Sequence, residues 1–120
     1  MKASIKLFER LKKFGYKHHY EGTVEELDKM KINNPDLHSE IMHVIVWFQK
    51  KYNVWLAVNY DYNHKTFYFY FAFTKNLMLG NAYYPSKSEK NPIKMYKLAI
   101  CEILDFFTYS PQLLKEYQKL

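Results

Sequence analysis

The stretch that decides the fold runs Val54-Trp55-Leu56-Ala57-Val58-Asn59-Tyr60-Asp61-Tyr62-Asn63-His64-Lys65-Thr66-Phe67-Tyr68-Phe69-Tyr70-Phe71-Ala72-Phe73. Its second half alternates strictly: Phe67, Phe69, Phe71 and Phe73 point one way, and Tyr68, Tyr70 and Ala72 the other. Strand side chains repeat every two residues, so this is a strand pattern. The first half does the same, with Val54, Leu56, Val58 and Tyr60 on one face and Trp55, Ala57 and Asn59 on the other. Between them the chain must turn. Pairing Asp61 with Thr66 sets Tyr60 against Phe67, Val58 against Phe69, Leu56 against Phe71 and Val54 against Phe73, so one face of the hairpin is wholly apolar or aromatic. A slip of one residue would set Phe against Asn or Ala throughout, so burial fixes the register. The turn lacks Asn-Gly, the mark of the tightest hairpins, and a four-residue loop, Tyr62 to Lys65, is expected.

Burying a phenylalanine contributes roughly 1.5–3 kcal/mol, so the Phe face is expected to meet helices. The opposite face carries Trp55, Tyr68 and Tyr70. Two readings are open for it: cover by the N-terminal part of the chain or a second subunit, or a stacking and docking surface for a partner.

Outward from the hairpin, helix borders are marked by capping chemistry. Asparagine caps well and proline suits the first helical position, and Asn34-Pro35 and Asn91-Pro92 each combine the two. Ser110-Pro111 repeats the device. The helix after Pro35 is expected to reach about Tyr52, presenting Leu37, Ile41, Val44, Ile45 and Phe48. The helix after Pro92 is expected to reach about Thr108, presenting Ile93, Tyr96, Ile100, Ile103, Leu104 and Phe107. Thr23-Val24-Glu25-Glu26 fits a capping box that starts a short helix to about Lys31. Ser4 to Phe14 reads as a basic amphipathic helix stopped by Gly15. A third strand over Leu77 to Tyr84, interrupted by Gly80, is compatible with the pattern, Pro85 to Lys90 reads as a polar loop, and Pro111 to Leu120 as a terminal helix.

The prediction is a single α+β domain over residues 1–120: a small antiparallel sheet, a hairpin with room for a third strand, packed on two long helices. Residues 1–33 form an N-terminal helical extension, 34–108 the core and 109–120 a C-terminal helix.

Charge is uneven. The chain has 18 basic residues against 12 acidic ones, a net +6, and Arg10 is the one arginine. Lys12, Lys13 and Lys17 belong to a basic N-terminal segment, residues 21–40 are acidic, and Lys87, Lys90 and Lys94 belong to a second basic run. Such asymmetry suits an anionic partner. Cys101 stands alone, so no intrachain disulfide forms, which fits a reducing compartment. No apolar run approaches the ~20 residues that span a membrane, and a cytoplasmic protein is expected.

The three glycines are isolated, so no phosphate loop is expected. The histidines lack zinc-site spacing. His18 and His19 are adjacent and diverge, and His38 and His43 do not share a helical face. Cys101 beside an apolar stripe reads as a buried thiol. Asp61, His64 and Lys65 form an acid–base cluster or, more simply, an ordinary turn, and Glu102 with Asp105 reads as a solvated helix face. No enzyme, cofactor or metal site is expected.

His38-Ser39-Glu40-Ile41-Met42-His43-Val44-Ile45-Val46-Trp47-Phe48 before the hairpin, and Met95-Tyr96-Lys97-Leu98-Ala99-Ile100-Cys101-Glu102-Ile103-Leu104 after it, resemble a loose group of small phage and plasmid proteins with helix–strand–strand–helix order. Anti-CRISPR proteins are one class of such small binding proteins. The resemblance implies a non-enzymatic protein that binds a bacterial defence nuclease or its guide RNA complex and modulates it. The candidate contacts are Lys12, Lys13 and Lys17, the turn Tyr62, His64 and Lys65, and the loop lysines Lys87, Lys90 and Lys94. An alternative drawn from the residues is a basic module for single-stranded nucleic acid, stacking bases on Trp55, Tyr68 and Tyr70. A third is a homodimeric accessory protein joined through that same face.

Overall fold

The structure, a computed structural model, describes residues 6–72, 87–109 and 111. In chain order it contains α1 (Leu7–Lys13), α2 (Val24–Lys29), α3 (Pro35–Tyr52), β1 (Trp55–Asp61), β2 (Thr66–Ala72) and α4 (Pro92–Tyr109). This is an α+β architecture.

β1 and β2 pair antiparallel with Asp61 opposite Thr66, Tyr60 opposite Phe67, Val58 opposite Phe69 and Leu56 opposite Phe71. The register is the one the burial pattern predicts. Both long helices contact the sheet. Phe69 and Phe71 are buried in one core with Phe48 of α3 and Ile100, Ile103 and Leu104 of α4. The predicted stripes are recovered, with Ile45 and Tyr96 half-buried at the edges. On the opposite sheet face Ala72 is fully buried and Trp55, its partner in the ladder, half-buried. The third strand expected over Leu77 to Tyr84, and Phe73 opposite Val54, lie outside the described residues. So does the terminal helix beyond Pro111.

The helix starts follow the sequence closely. Asn34 Oδ1 accepts from the Asp36 amide at 2.8 Å, and Asn91 Oδ1 accepts from the Ile93 amide at 2.8 Å. In the box ahead of α2, the Glu26 amide donates to Thr23 Oγ1 at 3.1 Å and the Thr23 amide to Glu26 Oε1 at 2.8 Å.

Of the helix expected over Ser4 to Phe14, Ser4 and Ile5 lie outside the described residues; α1 starts at Leu7, and Lys6 ahead of it supplies no side-chain cap. The cap comes from another helix: the Phe8 amide donates to Asp28 Oδ1 at 2.7 Å and the Glu9 amide to Asp28 Oδ2 at 3.3 Å. A carboxylate at a helix N-terminus satisfies orphan amides and complements the dipole. The predicted stop at Gly15 holds. The Tyr16 amide bonds the Leu11 carbonyl and the Gly15 amide the Lys12 carbonyl, both at 3.0 Å. This is a Schellman closure, and Gly15 adopts the positive φ, 97°, that it requires.

The N-terminal segment is integral to the interior. Leu7, Phe8, Leu11, Tyr16, Val24 and Leu27 join the same core as the sheet. Arg10 pairs with Asp105 of α4 at 2.9 Å, and the Phe14 and Phe107 rings meet edge-on at 5.8 Å. Asp105 is thus not a merely solvated residue, and neither is Glu102, which pairs with Lys87.

Candidate nucleic-acid interface

The polar loop after Pro85 carries a structural feature that its composition hides. Glu89 forms an isolated antiparallel bridge with Phe67: the Phe67 amide donates to the Glu89 carbonyl at 2.7 Å, and the Glu89 amide to the Phe67 carbonyl at 3.1 Å. The bridge lies near the start of β2, two residues from Lys65. It therefore holds Glu89, and with it Lys90, beside the end of β2 that leads out of the turn, while Lys87 is drawn to Glu102 further along α4. Half of the twelve predicted contact residues lie in the turn ahead of Phe67 or within five residues of Glu89 along the chain: Tyr62, His64, Lys65, Lys87, Lys90 and Lys94.

The tip is a built turn. Asp61 Oδ1 accepts from the amides of Asn63 at 2.9 Å and His64 at 3.3 Å. His64 Nδ1 lies 2.7 Å from Asp61 Oδ2. That hydrogen bond from His64 holds the Asp61 carboxyl below the usual carboxylate range. The acid–base pair is real in geometry, and its carboxylate is committed to the turn. Lys65 closes the loop in the left-handed region, at φ 55°.

Aromatic rings brace the same end. Tyr62 is 83 % exposed, the most exposed large hydrophobic side chain among the described residues. It packs edge-on against Tyr60 at 4.9 Å and 86°, and Tyr60 packs on Phe67 at 5.0 Å. On the Phe face Phe67 is half-buried against the core and Tyr60 is exposed. Lys65, Lys90 and Lys94 are exposed and make no ion pair among the described residues. Lys87 is neutralised by Glu102.

The remaining predicted residues lie elsewhere. Trp55, Tyr68 and Tyr70 share the second sheet face and are half-buried. Tyr68 and Tyr70 stack at 6.4 Å, the Tyr70 hydroxyl accepts from Asn59 at 3.1 Å, and Trp55 Nε1 donates to Asn53 Oδ1 at 3.0 Å. Lys12 lines a cleft of about 550 Å³ between α1 and α2 with Lys6, Glu9, Glu25, Asp28 and Lys29. Lys13 and Lys17 are exposed at the end of α1 and in the connector after it. α1 docks along the Arg10–Asp105 side of α4, whereas Lys94 sits in that helix's first turn.

A second cluster was not foreseen. Glu40 is only 2 % exposed and lies inside the apolar stripe of α3. Its carboxylate accepts from the Tyr16 hydroxyl, from the His19 amide at 2.9 Å and from the Tyr20 amide at 2.7 Å. Burial alone would raise its pKa, but these donors and the nearby His19 hold it below the usual range. Burial and the same carboxylate push the Tyr16 hydroxyl well above the ordinary tyrosine range. His19 stacks on His43 at 3.8 Å, beside a cleft of about 350 Å³ shared with Tyr20, Asp36 and Ser39. Among the described residues no three His, Cys, Asp or Glu side chains converge as a metal site requires. The cluster fastens the 16–20 connector onto α3. Cys101 is half-buried, and burial pushes its thiol up, away from the reactive thiolate.

No helix among the described residues is long and apolar enough to cross a membrane. In comparisons with known proteins the chain matches no family model, no curated protein and no solved structure.

Proposed function

We propose that this protein works by binding, and that its contact is the nucleic-acid component of a ribonucleoprotein effector. A bacterial defence nuclease carrying its guide RNA is the partner that the resemblance to small phage proteins implies. In this reading the protein acts in the cytoplasm and modulates the effector by occupying its RNA, without chemistry of its own.

The observation that carries the reading is the Phe67–Glu89 bridge, which ties Lys90 to the hairpin whose turn carries the exposed Tyr62 and Lys65. Lysines neutralise phosphates, and exposed aromatic rings accept bases. The net charge of +6 favours encounter with a polyanion.

The test is binding of the purified protein to short single- and double-stranded RNA and DNA over a salt series. The reading expects RNA binding at physiological salt that weakens as salt rises. Absence of RNA binding at that salt would overturn it.

A further inference from the structure

We infer that the hairpin tip is a base-stacking prong, with Tyr62 accepting one unpaired base while Lys65 and Lys90 hold the flanking phosphates. This rests on the proposed nucleic-acid contact and deepens it: the ligand class is single-stranded nucleic acid.

Tyr62 is unusual in where it sits and in how it is held. An aromatic ring 83 % exposed at a loop tip contributes little to burial, yet it is braced. Tyr60 meets it edge-on, which leaves a ring face open to solvent. Tyr60 rests on Phe67, and Phe67 is locked by two backbone hydrogen bonds to Glu89. On the other side of the turn, the Asp61 carboxylate fixes the amides of Asn63 and His64. A ring already positioned loses less entropy on stacking than a free one. Bases within a duplex are stacked on their neighbours and offer no face to such a ring, so a stacking prong selects unpaired strands.

Charge complements this choice. Asp61 is spent on the turn and His64, and Glu102 on Lys87. Lys65 follows the turn directly, and Lys90 follows the residue bridged to Phe67. Both flank the prong without an acidic partner among the described residues.

The experiment uses a ten-nucleotide RNA carrying one 2-aminopurine, whose fluorescence is quenched on stacking, with the full chain and its Tyr62→Ala, Tyr62→Phe and Lys65→Ala variants. Melting curves establish that each variant folds. The wild-type protein is expected to quench the probe and to prefer this strand to its duplex. Tyr62→Ala should lose the quenching and about 5- to 150-fold in affinity, the equivalent of one stacked base. Tyr62→Phe should retain both, and Lys65→Ala should bind more weakly with the quenching kept. If the wild type binds the RNA but Tyr62→Ala quenches and binds equally well, the prong is overturned and the broader nucleic-acid reading stands. Equal affinity for strand and duplex overturns the prong likewise. If the wild type binds no RNA, both fall.

Discussion

The Tyr20 amide donates to Glu40 across 2.7 Å, although the two residues are 20 apart in sequence. One buried carboxylate thus collects the connector between α1 and α2 onto α3, accepting from Tyr16, His19 and Tyr20. Removing an acceptor strands its donors, and each buried unsatisfied group costs about 1–3 kcal/mol. Glu40→Ala is expected to destabilise the protein by about 3 kcal/mol, seen as a fall in Tm of about 10 °C. A Tm within a degree or two of wild type would show that the connector is not held by this residue.

The same residue sets an acid limit. Its folded pKa lies below its unfolded value, near 4.3 for glutamate. The stabilisation is therefore complete above that value and is lost as pH falls through the lower, folded pKa. Denaturant titrations from pH 6 to pH 3 should show a loss of stability in that window that Glu40→Gln lacks. Parallel curves for the two proteins would contradict the assignment.

Gly15 is needed for its backbone. An added Cβ would meet only the mobile Nζ of Lys51, at 3.1 Å, but φ is 97°. Gly15→Ala should cost about 1–2 kcal/mol, and a chemical denaturation midpoint unchanged from wild type would count against the Schellman closure.

The coupling of tip and loop rests on backbone groups, so side-chain truncation at Glu89 should leave it intact. Glu89→Pro removes one of the two donors. It is expected to cost about 1 kcal/mol and to speed proteolytic nicking around residues 87–91. Equal nicking of Glu89→Pro and Glu89→Ala would refute the bridge.

Phosphate contacts leave a salt signature. Replacing Lys65, Lys90 and Lys94 together by alanine should reduce the slope of log affinity against log salt for single-stranded RNA by about 2, from about 0.7 per neutralised phosphate. An unchanged slope would show that these three lysines do not carry the contact.

Much of this architecture was legible because its signals are local. The hairpin register follows from which residues may be buried opposite one another, and Asn34-Pro35 and Asn91-Pro92 announce helices by hydrogen bonds made within a few residues. What escaped depends on remote partners. Asp28 caps α1 from another helix, and Glu89 pairs with Phe67 from a stretch with no strand pattern. Glu40 did leave a trace. It falls at the i+3 position from Leu37 and directly before Ile41, inside the apolar stripe, where a carboxylate must find buried donors. The stacking of His19 on His43 needs the folded connector and has no spacing to betray it. For the candidate interface, the lysines and the tip were visible in the sequence. The bridge that ties Lys90 to the hairpin, and the half-burial of Trp55, Tyr68 and Tyr70, were not.

The contact between Arg10 and Asp105 joins residues separated by 95 positions. On the ribosome, Leu7, Phe8 and Leu11 emerge well before α4, a helix that helps to cover them. At about 5–20 residues per second, α1 waits roughly 5–20 s for α4. Through that interval its apolar stripe can pack on Val24 and Leu27 of α2 but lacks its cover from α4. Closure of the core therefore has to wait for α4, and a chain truncated before α4 leaves the stripe of Leu7, Phe8 and Leu11 without the helix that helps to cover it.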